Sequence, residues 1–548
     1  MGNQDLCMKY RELDRDIAEL HYRLHSENIH ENEIFIPTKE NLFAASEALM
    51  GLRIRLSNLP APDPVFAAVK HQFGDFLDTV GFAIEGASPL AVFHAVGQHF
   101  ESLARHTKKN AKEKLEVIKK RFACVLDNRE EILQLVLEHA GEKGLGPARN
   151  IIDFNRDILQ YYYTNKLREC FRDLNVAQYS ELTMQLRKMI SALKEMEDKI
   201  PVDAETARKE ADDLDLTMKM EPDAFRSLLH DKLGIDMDDM LTWYEDGVRT
   251  TRDEVFAIAA GLPIAEPAPS TMEEVNDILF KYSAPKKTPE EMFEAGREYM
   301  KRSRDYARKI IRMPEDEECL VVPTVYACKD SFPWGGYEGG DFSSAPYTGH
   351  MFLNEYNYNN ITDAWIKMDS MHEAYPGHHC QMVRAAWDPL PEVMKIGGKN
   401  IPLLEGTCVR TERAFQDNFD EDPFYKLHVA YRRHHVATRI WVDLTLNYFG
   451  GTIGEACEIY KKELGLDYTS ARGQVLAHQT MRGYFNCYYY GLRKLEQWEK
   501  EYGFDKKEYT ELLFSAGFVS METFKMFLDL TPEERERYCH DFKSLYME

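Results

Sequence analysis

The sequence predicts a mainly α-helical protein with a small β-sheet beside one helix that carries a histidine-rich motif. Over most of the 548 residues, apolar side chains recur at spacings of three and four residues with charged residues between them. This pattern is typical of amphipathic helices. Two short segments in the middle of the chain, 319–326 and 346–354, are instead rich in β-branched and aromatic residues, which predicts two strands.

The first part of the chain is predicted to form consecutive helices with short breaks between them. The breaks fall at segments that contain proline or glycine, at 58–63, 86–89 and 200–201. The predicted helices span residues 12–27, 39–56, 63–84, 91–138, 146–173 and 177–198.

A proline-rich linker at 261–269 separates two predicted regions, residues 1–260 and residues 261–548. A chain of this length exceeds what one core usually supports, and we expect the two regions to pack as one body around a cleft. Beyond the linker, Thr271 and Glu274 predict a capping box. One later helix is predicted to run from Thr288–Pro289 to about residue 312, and another to begin near residue 362. Three more are predicted at 403–419, 424–448 and 471–502, and the last begins at Thr531.

The glycine-rich stretch 334–340 lies between the two predicted strands. It lacks the Gly-x-x-x-x-Gly-Lys pattern of a phosphate-binding loop. We therefore interpret it as a cluster of turns, with a flexible loop that faces the substrate as the alternative. The small sheet is our candidate for an edge that accepts an extended peptide.

Charge and composition disfavour several classes of partner. The formal net charge is −24, and such a surface repels nucleic-acid phosphates and anionic lipid. The chain has no run of about 18 apolar residues. Its ten cysteines form no C-x-x-C pair, and its first residues lack a signal-peptide pattern. We predict a cytoplasmic protein that acts on a short peptide or another small molecule, with no nucleic-acid or membrane partner.

The stretch 372–379, His-Glu-Ala-Tyr-Pro-Gly-His-His, combines a carboxylate with three imidazoles. A catalytic zinc site uses three protein ligands, usually imidazole nitrogens or carboxylate oxygens, and leaves one position for water. The common arrangement places two histidines four residues apart on one helix, with a glutamate beside the first. Here Pro376 occupies the fourth position. On a straight helix, neither His378 nor His379 would share one metal ion with His372.

A break in the helix would resolve this spacing. Pro376 has no backbone N–H to donate, and Gly377 tolerates unusual backbone angles. A bulge at these two residues would place a later histidine where the second ligand normally stands. We favour His378 over His379 for that position.

Glutamates supply the remaining groups of the predicted site. Glu405 is our choice for the third ligand of one zinc ion, and Glu412, two turns further on the same helical face, is the reserve. Zinc lowers the pKa of a bound water toward about 7, and Glu373 is the predicted general base that takes its proton. Residues 261–548 are therefore the predicted catalytic, metal-binding region. A tyrosine, histidine or arginine of the C-terminal helices would stabilise the oxyanion.

The motif resembles that of a known family. The stretch 372–379 resembles the signature of the DUF885 proteins, which are mainly bacterial and of poorly defined function. They look like members of the zincin, or gluzincin-type, metallopeptidases. The resemblance runs from Phe225 to the C-terminus and implies a multi-helix zincin-like metallopeptidase fold.

Two other segments carry the resemblance further. Glu-Gly-Thr-Cys-Val-Arg-Thr-Glu at 405–412 is similar to the family's Glu-Gly-Trp-Ala-x-Tyr-x-Glu, which implies that Glu405 is the third ligand. Thr407 and Arg410 depart from the aromatic residues of that pattern. Arg482 and Tyr488 resemble the family's Arg-Tyr and Tyr-x-x-Gly elements, which implies catalytic roles as substrate or oxyanion contacts. The neighbouring tyrosines at 484 and 489 are alternatives to Tyr488.

A few other side chains have predicted positions near the motif. We place His434 and His435 on a polar helix face, and we expect Cys408 to serve in packing. His350, on the second predicted strand, is a candidate neighbour of the site. Asp443 is a candidate to orient a ligand histidine.

The leading hypothesis is a zinc-dependent metallohydrolase, a peptidase that acts on short peptides with Glu373 as general base. One alternative keeps the metal but changes the substrate, to give a hydrolase or lyase of a non-peptide small molecule. The other is a non-catalytic helical binding protein with a vestigial site. Glu373 argues against this last reading, because a structural metal site needs no general base.

Overall fold

The computed structural model describes residues 3–106, 108–141, 144–212, 220–330 and 332–547. The protein is mainly helical, with 72% of its residues in helices, and it contains a three-stranded sheet. These observations confirm the predicted mainly α class with a small sheet. In the described ranges, no helix is both long enough and apolar enough to cross a lipid bilayer.

The first 260 residues form twelve α-helices in the described part of the chain. Several begin at residues whose side chains accept hydrogen bonds from the free N–H groups of the first turn, such as Thr38, Asp63 and Asn175. The helices are α1 (Asn3–His25), α2 (Lys39–Asn58), α3 (Pro64–Glu85), α4 (Ala91–Arg105), α5 (Ala111–Asp127), α6 (Arg129–Ala140), α7 (Leu145–Tyr161), α8 (Leu167–Cys170), α9 (Val176–Asp198), α10 (Ala204–Asp212), α11 (Pro222–Ser227) and α12 (Met237–Ala260).

The helices of the second region surround the motif. The capping box predicted at Thr271 and Glu274 opens the first of them. They are α13 (Met272–Tyr282), α14 (Pro289–Ala307), α15 (Asp363–Asp369), α16 (His378–Trp387), α17 (Val393–Ile396), α18 (Ile401–Ala414), α19 (Pro423–Asn447), α20 (Ile453–Leu464), α21 (Tyr468–Thr480), α22 (Asn486–Tyr502), α23 (Lys506–Ser515), α24 (Met521–Asp529) and α25 (Pro532–His540).

Two predicted helices are divided in the structure, so the prediction of single helices there was wrong. The segment 91–138 is divided among α4, α5 and α6. Asn110 starts α5 through a capping box with Glu113, and Asn128, with a non-helical backbone (φ −109°, ψ 13°), separates α5 from α6. The segment 471–502 is divided between α21 and α22 near Gly483. That glycine has a φ of +74°, which an α-helix does not accommodate.

The sheet contains β1 (Glu317–Pro323), β2 (Gly335–Glu338) and β3 (Tyr347–Leu353), with β3 in the centre. β1 runs parallel to β3 and β2 runs antiparallel to it. β2 lies inside the glycine-rich stretch that we interpreted as turns, and that interpretation was wrong for these four residues. Their backbone groups pair with β3, and this pairing does not depend on a β-branched side-chain pattern.

The largest hydrophobic core crosses the boundary predicted at residue 260. It joins Leu13 of α1 and Phe73 of α3 to Tyr375, Val409 and Phe524 of the second region. A further core lies within residues 34–200. Helices α1 and α3 therefore pack against the part of the protein that contains the motif.

Helices α18 and α22 cross at very short distance through two glycines. A Cβ atom added at Gly491 would lie 1.8 Å from the carbonyl oxygen of Pro402, and one added at Gly406 would lie 2.5 Å from the carbonyl carbon of Gly491. Any larger side chain would separate the two helices. This crossing places Glu405 of α18 against the tyrosines at the start of α22.

The replacement Gly491→Ala is expected to destabilise the protein by about 1–3 kcal/mol or more, because the methyl group meets backbone atoms that cannot move aside. Gly51→Ala is the matched control, since α2 leaves open space around that glycine. Alanine there should add about 0.5–1 kcal/mol of stability through its higher helix propensity. Thermal unfolding of both variants measures the difference, and equal melting temperatures would contradict the tight crossing.

Candidate metal centre

The motif does not form one continuous α-helix. Helix α15 leads into a π-helical turn, Ser370–Ala374, that carries His372 and Glu373. Tyr375 then has an extended backbone (φ −134°, ψ 114°), and α16 begins at His378. The chain therefore breaks its helix at Pro376 and Gly377, the two residues at which the sequence predicts a bulge.

Gly377 allows the chain to fold back on itself at this break. A Cβ atom at this position would lie 1.9 Å from the carbonyl oxygen of His372 and 2.3 Å from that of Met371. No side chain larger than hydrogen fits so close to two carbonyl oxygens. The close return brings the rings of His372 and His378 to a centroid distance of 5.1 Å, with their planes 84° apart.

Glu405 completes a group of three donor atoms. Its Oε2 atom lies 3.5 Å from Nε2 of His372 and 3.5 Å from Nε2 of His378. This oxygen is buried and has no hydrogen-bond partner among the residues that the structure describes. Atoms that coordinate a tetrahedral zinc ion at about 2.0–2.1 Å are about 3.3 Å from one another. The distances from Glu405 to the two imidazoles thus match the spacing of ligands around one zinc ion, and the role of the three residues as ligands stays a prediction.

The other ring nitrogen of each histidine is held by a neighbouring side chain. Nδ1 of His372 lies 2.6 Å from Oε1 of Glu412, and Nδ1 of His378 lies 2.9 Å from Oε1 of Gln381. An acceptor on Nδ1 fixes the tautomer in which Nε2 is free to bind a metal. Glu412, the reserve third ligand, is thus placed behind His372, while Glu405 faces Nε2.

Cys408 offers a second donor set. Donor atoms of His372, His378 and Cys408 lie within 4.8 Å of one another. The sulfur, however, lies 3.4 Å from Nδ1 of His378 and 3.5 Å from Oε1 of Gln381, on the side of the ring away from Glu405. Burial also raises the pKa of the Cys408 thiol well above its usual value. We prefer Glu405 because both Nε2 atoms face it.

The acidic surroundings favour positive charge at the centre. Burial alone would lower the pKa of His372, but the charge of Glu373 and the contacts with Glu405 and Glu412 raise it to about 10. Burial would raise the pKa of Glu405, but His378 and His372 hold it well below its usual value. A buried group of carboxylates and imidazoles that favours an added positive charge is the environment that a cation requires.

His379 has a different position from His378. Its Nε2 atom lies 3.0 Å from Oε2 of Glu317 on β1, and its Nδ1 atom lies 3.1 Å from the hydroxyl of Tyr337 on β2. The hydroxyl of Tyr375 also donates to Glu317, at 2.6 Å. His379 therefore joins α16 to the sheet and points away from the three donors.

Glu373, the predicted general base, is half-buried next to the centre. Its negative charge raises the pKa values of both His372 and His378, and its carboxylate has no hydrogen-bond partner among the described residues. Asp369, one turn earlier, was not identified from the sequence. Burial and the charge of Glu373 raise the pKa of Asp369 well above its usual value.

The tyrosines of the last helices reach the centre through Glu405. The hydroxyl of Tyr484, in the turn before α22, donates to Oε1 of Glu405, and it lies 3.1 Å from the hydroxyl of Tyr488. The ring of Tyr488 is 6.3 Å from the ring of His372. Tyr489 lies elsewhere, against Gly247 and Trp243 on α12.

The remaining predicted groups have other neighbours. Arg482 is half-buried in the turn after α21, where its charge interacts with Asp443. Asp443 orients His478, at 2.7 Å, and not one of the predicted ligands. His350 on β3 is almost buried, and its nearest acidic partner is Glu338, at 4.0 Å.

His434 and His435, which we placed on a polar helix face, are both buried. His434 is held by Thr251 and by the carbonyl oxygen of Glu463, each at 2.9 Å. Two arginines near them, Arg432 and Arg439, were not identified as functional. The signal in the sequence is that they lie seven residues apart, on one face of α19.

Two surface cavities lie away from this centre. One, of about 180 Å³, is lined by residues of α1, α2 and the segment between them. The other, of about 560 Å³, lies between the end of α14 and residues Trp387 and Glu511. Neither lining contains a histidine or cysteine, so the chemistry of the side chains, and not cavity size, locates the candidate site.

Two solved structures share the fold over nearly the whole chain. A crystal structure of a protein described as a putative lipoprotein from Colwellia psychrerythraea matches with a TM-score of 0.75, covering 98% of this chain and 100% of that chain at 14% sequence identity. A second, described as a putative lipoprotein of unknown function from Shewanella oneidensis, matches with a TM-score of 0.70, covering 95% of this chain and 100% of that chain at 13% identity. At these identities the likeness shows the fold alone.

The family is shown by a match along the sequence. No curated protein matches the chain. The family model described as "Bacterial protein of unknown function (DUF885)" matches residues 48–526, which include the motif, Glu405 and the tyrosines of α22. Since this match covers most of the 548 residues, the chain belongs to the DUF885 family.

Proposed function

We propose that this protein is a zinc-dependent hydrolase that cleaves amide bonds in short peptides. The observation that carries the proposal is the convergence of two imidazole Nε2 atoms on a buried carboxylate oxygen that has no hydrogen-bond partner in the described part of the chain. An unpartnered buried carboxylate oxygen is costly, and a cation bound by all three atoms removes that cost. A carboxylate free to accept a proton, that of Glu373, lies beside them.

His372, His378 and Glu405 would hold the metal. A zinc ion at this position supplies Lewis acidity, which polarises a carbonyl group and makes water more acidic. Glu373 accepts the proton of the attacking water and then donates it to the leaving nitrogen. Its carboxylate suits this role because no hydrogen bond with the described residues holds it in place.

Tyr488 is the proposed donor to the oxyanion. Burial raises the pKa of its hydroxyl, so the group keeps its proton and can donate a hydrogen bond at neutral pH. Tyr484 is committed to Glu405 and therefore serves to hold that ligand. Arg410, which replaces an aromatic residue of the family pattern, pairs with Glu499 and with Thr510 and so supports α18.

The depth of the centre favours small substrates. His372 and Glu405 are 2% and 5% exposed, and helices enclose them. A folded protein surface cannot reach atoms at this depth, whereas an extended peptide can. All ten cysteines are free, which supports our proposal that the protein works in the reducing cytoplasm.

The two neighbouring histidines allow a direct test of the metal centre. We expect purified protein to bind about one zinc ion per chain, and His378→Ala to weaken zinc binding by more than 100-fold, since even changes behind a ligand cost about 10–100-fold. His379→Gln should keep the zinc but lower the melting temperature, because His379 joins α16 to Glu317. Metal analysis after dialysis gives the answer. If His379→Gln lost zinc and His378→Ala kept it, His379 would be the ligand and His378 would not.

The third ligand is tested by a second pair of variants. Glu405→Gln is expected to lose zinc, whereas Cys408→Ser should retain it, because the sulfur lies on the Nδ1 side of His378. Zinc affinity is measured by competition with a chelator of known affinity. If Cys408→Ser lost zinc and Glu405→Gln retained it, Cys408 would be the ligand and Glu405 would not contact the metal.

The role of Glu373 is tested by activity. Glu373→Gln should retain zinc and the melting temperature but lower kcat by about 10²–10⁴-fold, the usual contribution of a general base. Hydrolysis of a panel of short blocked peptides and of small non-peptide amides, before and after zinc removal, provides the measurement. Full activity in the variant would refute the mechanism, and turnover of the non-peptide amides alone would change the substrate class.

A further inference from the structure

A stripe of four polar side chains lies along one buried face of α19. We call His428, Arg432, His435 and Arg439 the arginine stripe; their spacing of four, three and four residues places them in one row. All four are at most 7% exposed. Each has at least one ring or guanidinium nitrogen that is buried and has no hydrogen-bond partner within the described ranges, and Arg439 has two, Nε and Nη1.

Burying a guanidinium without a carboxylate partner is unusual and costly. Two other buried arginines are paired with carboxylates: Arg384 contacts Asp388 and Glu511, and Arg410 contacts Glu499. A third, Arg121, donates instead to backbone carbonyl oxygens, among them those of Ala95 and Glu31. The closest acidic contact of Arg432 is Glu412, at 3.9 Å from its Nε atom, and that carboxylate is already bonded to His372.

Arg439 has no carboxylate within 4 Å among the described residues. The acid one turn further on α19, Asp443, is instead bonded to His478, at 2.7 Å, and to Asn486, at 2.6 Å. Burial and the neighbouring charge of Arg432 lower the pKa of Arg439. This positive charge therefore lacks a counter-ion from the described part of the protein.

The two guanidinium groups converge next to the metal centre. The carbon atom of each lies close to the ring centroid of Tyr488, at 5.3 Å for Arg432 and 5.1 Å for Arg439. The same ring is 6.3 Å from the ring of His372. These distances correspond to one to three residues of an extended peptide, at about 3.3–3.6 Å per residue.

The rest of the stripe is uncharged and bordered by aromatic rings. Burial lowers the pKa of His428 to about 3 and lowers that of His435 well below its usual value, so both stay neutral. Trp365 packs against His428, and Trp334 is stacked on Trp365 at 4.4 Å. The positive charge of the stripe is thus concentrated at the arginines.

We propose that Arg432 and Arg439 bind the free C-terminal carboxylate of the peptide substrate, which makes the protein a C-terminal exopeptidase. Guanidinium groups recognise carboxylates through paired charge-assisted hydrogen bonds. The unpartnered arginine nitrogens lie a short distance from the metal centre. A carboxylate bound to them would therefore lie on the C-terminal side of the bond that is cleaved. This assignment deepens the proposed function and rests on it for the reaction, but the anion site itself is tested by binding alone.

The test compares N-acetyl-alanyl-phenylalanine with its C-terminal amide. Equilibrium binding of each is measured by calorimetry on zinc-supplied Glu373→Gln protein, in which slow turnover keeps the peptides intact. We expect the free acid to bind about 10–100-fold more tightly than the amide. Arg432→Gln and Arg439→Gln should each bring this ratio close to one.

Arg433→Gln is the matched control on the same helix. Arg433 is paired with Glu496, at 2.5 Å, and its replacement should leave the ratio of acid to amide binding unchanged. Arg432→Lys and Arg439→Lys keep the charge without the planar fork and should keep part of the ratio. Melting temperatures identify any variant that fails to fold. If a glutamine variant does not fold, the ratio of acid to amide binding by the corresponding lysine variant decides whether that arginine binds the carboxylate.

Each result has one meaning. Equal binding of acid and amide by the parent protein would overturn the anion site. So would a preference for the acid that survives both arginine replacements, because the metal alone would then hold the acid. Peptide hydrolysis together with equal binding would refute the anion site only. An intact preference for the acid, without any hydrolysis by the wild-type protein, would refute the proposed function and leave the anion site standing.

Discussion

The buried carboxylate of Glu405 is the group around which the centre is built. One of its oxygens accepts the hydroxyl of Tyr484, and the other lies 3.5 Å from each of two imidazoles. A carboxylate at this depth is stable only when positive charge or donors surround it. Helix α18 can hold it there because Gly406 and Gly491 let α22 approach to backbone contact, which brings the tyrosines within reach.

The break at Pro376 and Gly377 is the second constraint, and it acts on the orientation of side chains. A regular helix would separate His372 from both later histidines. The extended residue Tyr375 and the close return at Gly377 restart the helix at His378, so that His378 faces Glu405 and His379 faces Glu317. The break thus places the imidazole of His378 at the centre. It places that of His379 against Glu317, where it joins α16 to the sheet.

Charge is distributed unevenly around the centre. Glu373, Glu405 and Glu412 surround the two imidazoles, whereas Arg432 and Arg439 lie beyond Tyr488 without full pairing. The acidic side suits a cation and the basic side suits an anion. A peptide that ends in a carboxylate would complement both, with its scissile amide near the acidic side and its terminus near the arginines.

The sequence by itself determined the helical class, the caps at Thr271 and Thr531, the site of the helix break, and the candidate set that contains Glu373 and Glu405. These features depend on local periodicity and on the backbone chemistry of proline, glycine and capping residues, which act within a few positions. The division of 91–138 into three helices was also local, at the Asn110 cap and at Asn128, but the helical periodicity of the flanking segments obscured it.

Only the tertiary structure decided which side chains meet across distant segments. The choice between His378 and His379 depends on where Glu405 and Glu317 lie, 27 and 62 residues away along the chain. β2 forms because β3 pairs with it. Helix α19 is buried, so the polar side chains along one of its faces lie inside the protein, where four of them form the arginine stripe. A sequence pattern cannot report these contacts, because packing between remote elements fixes both the burial and the partner of each group.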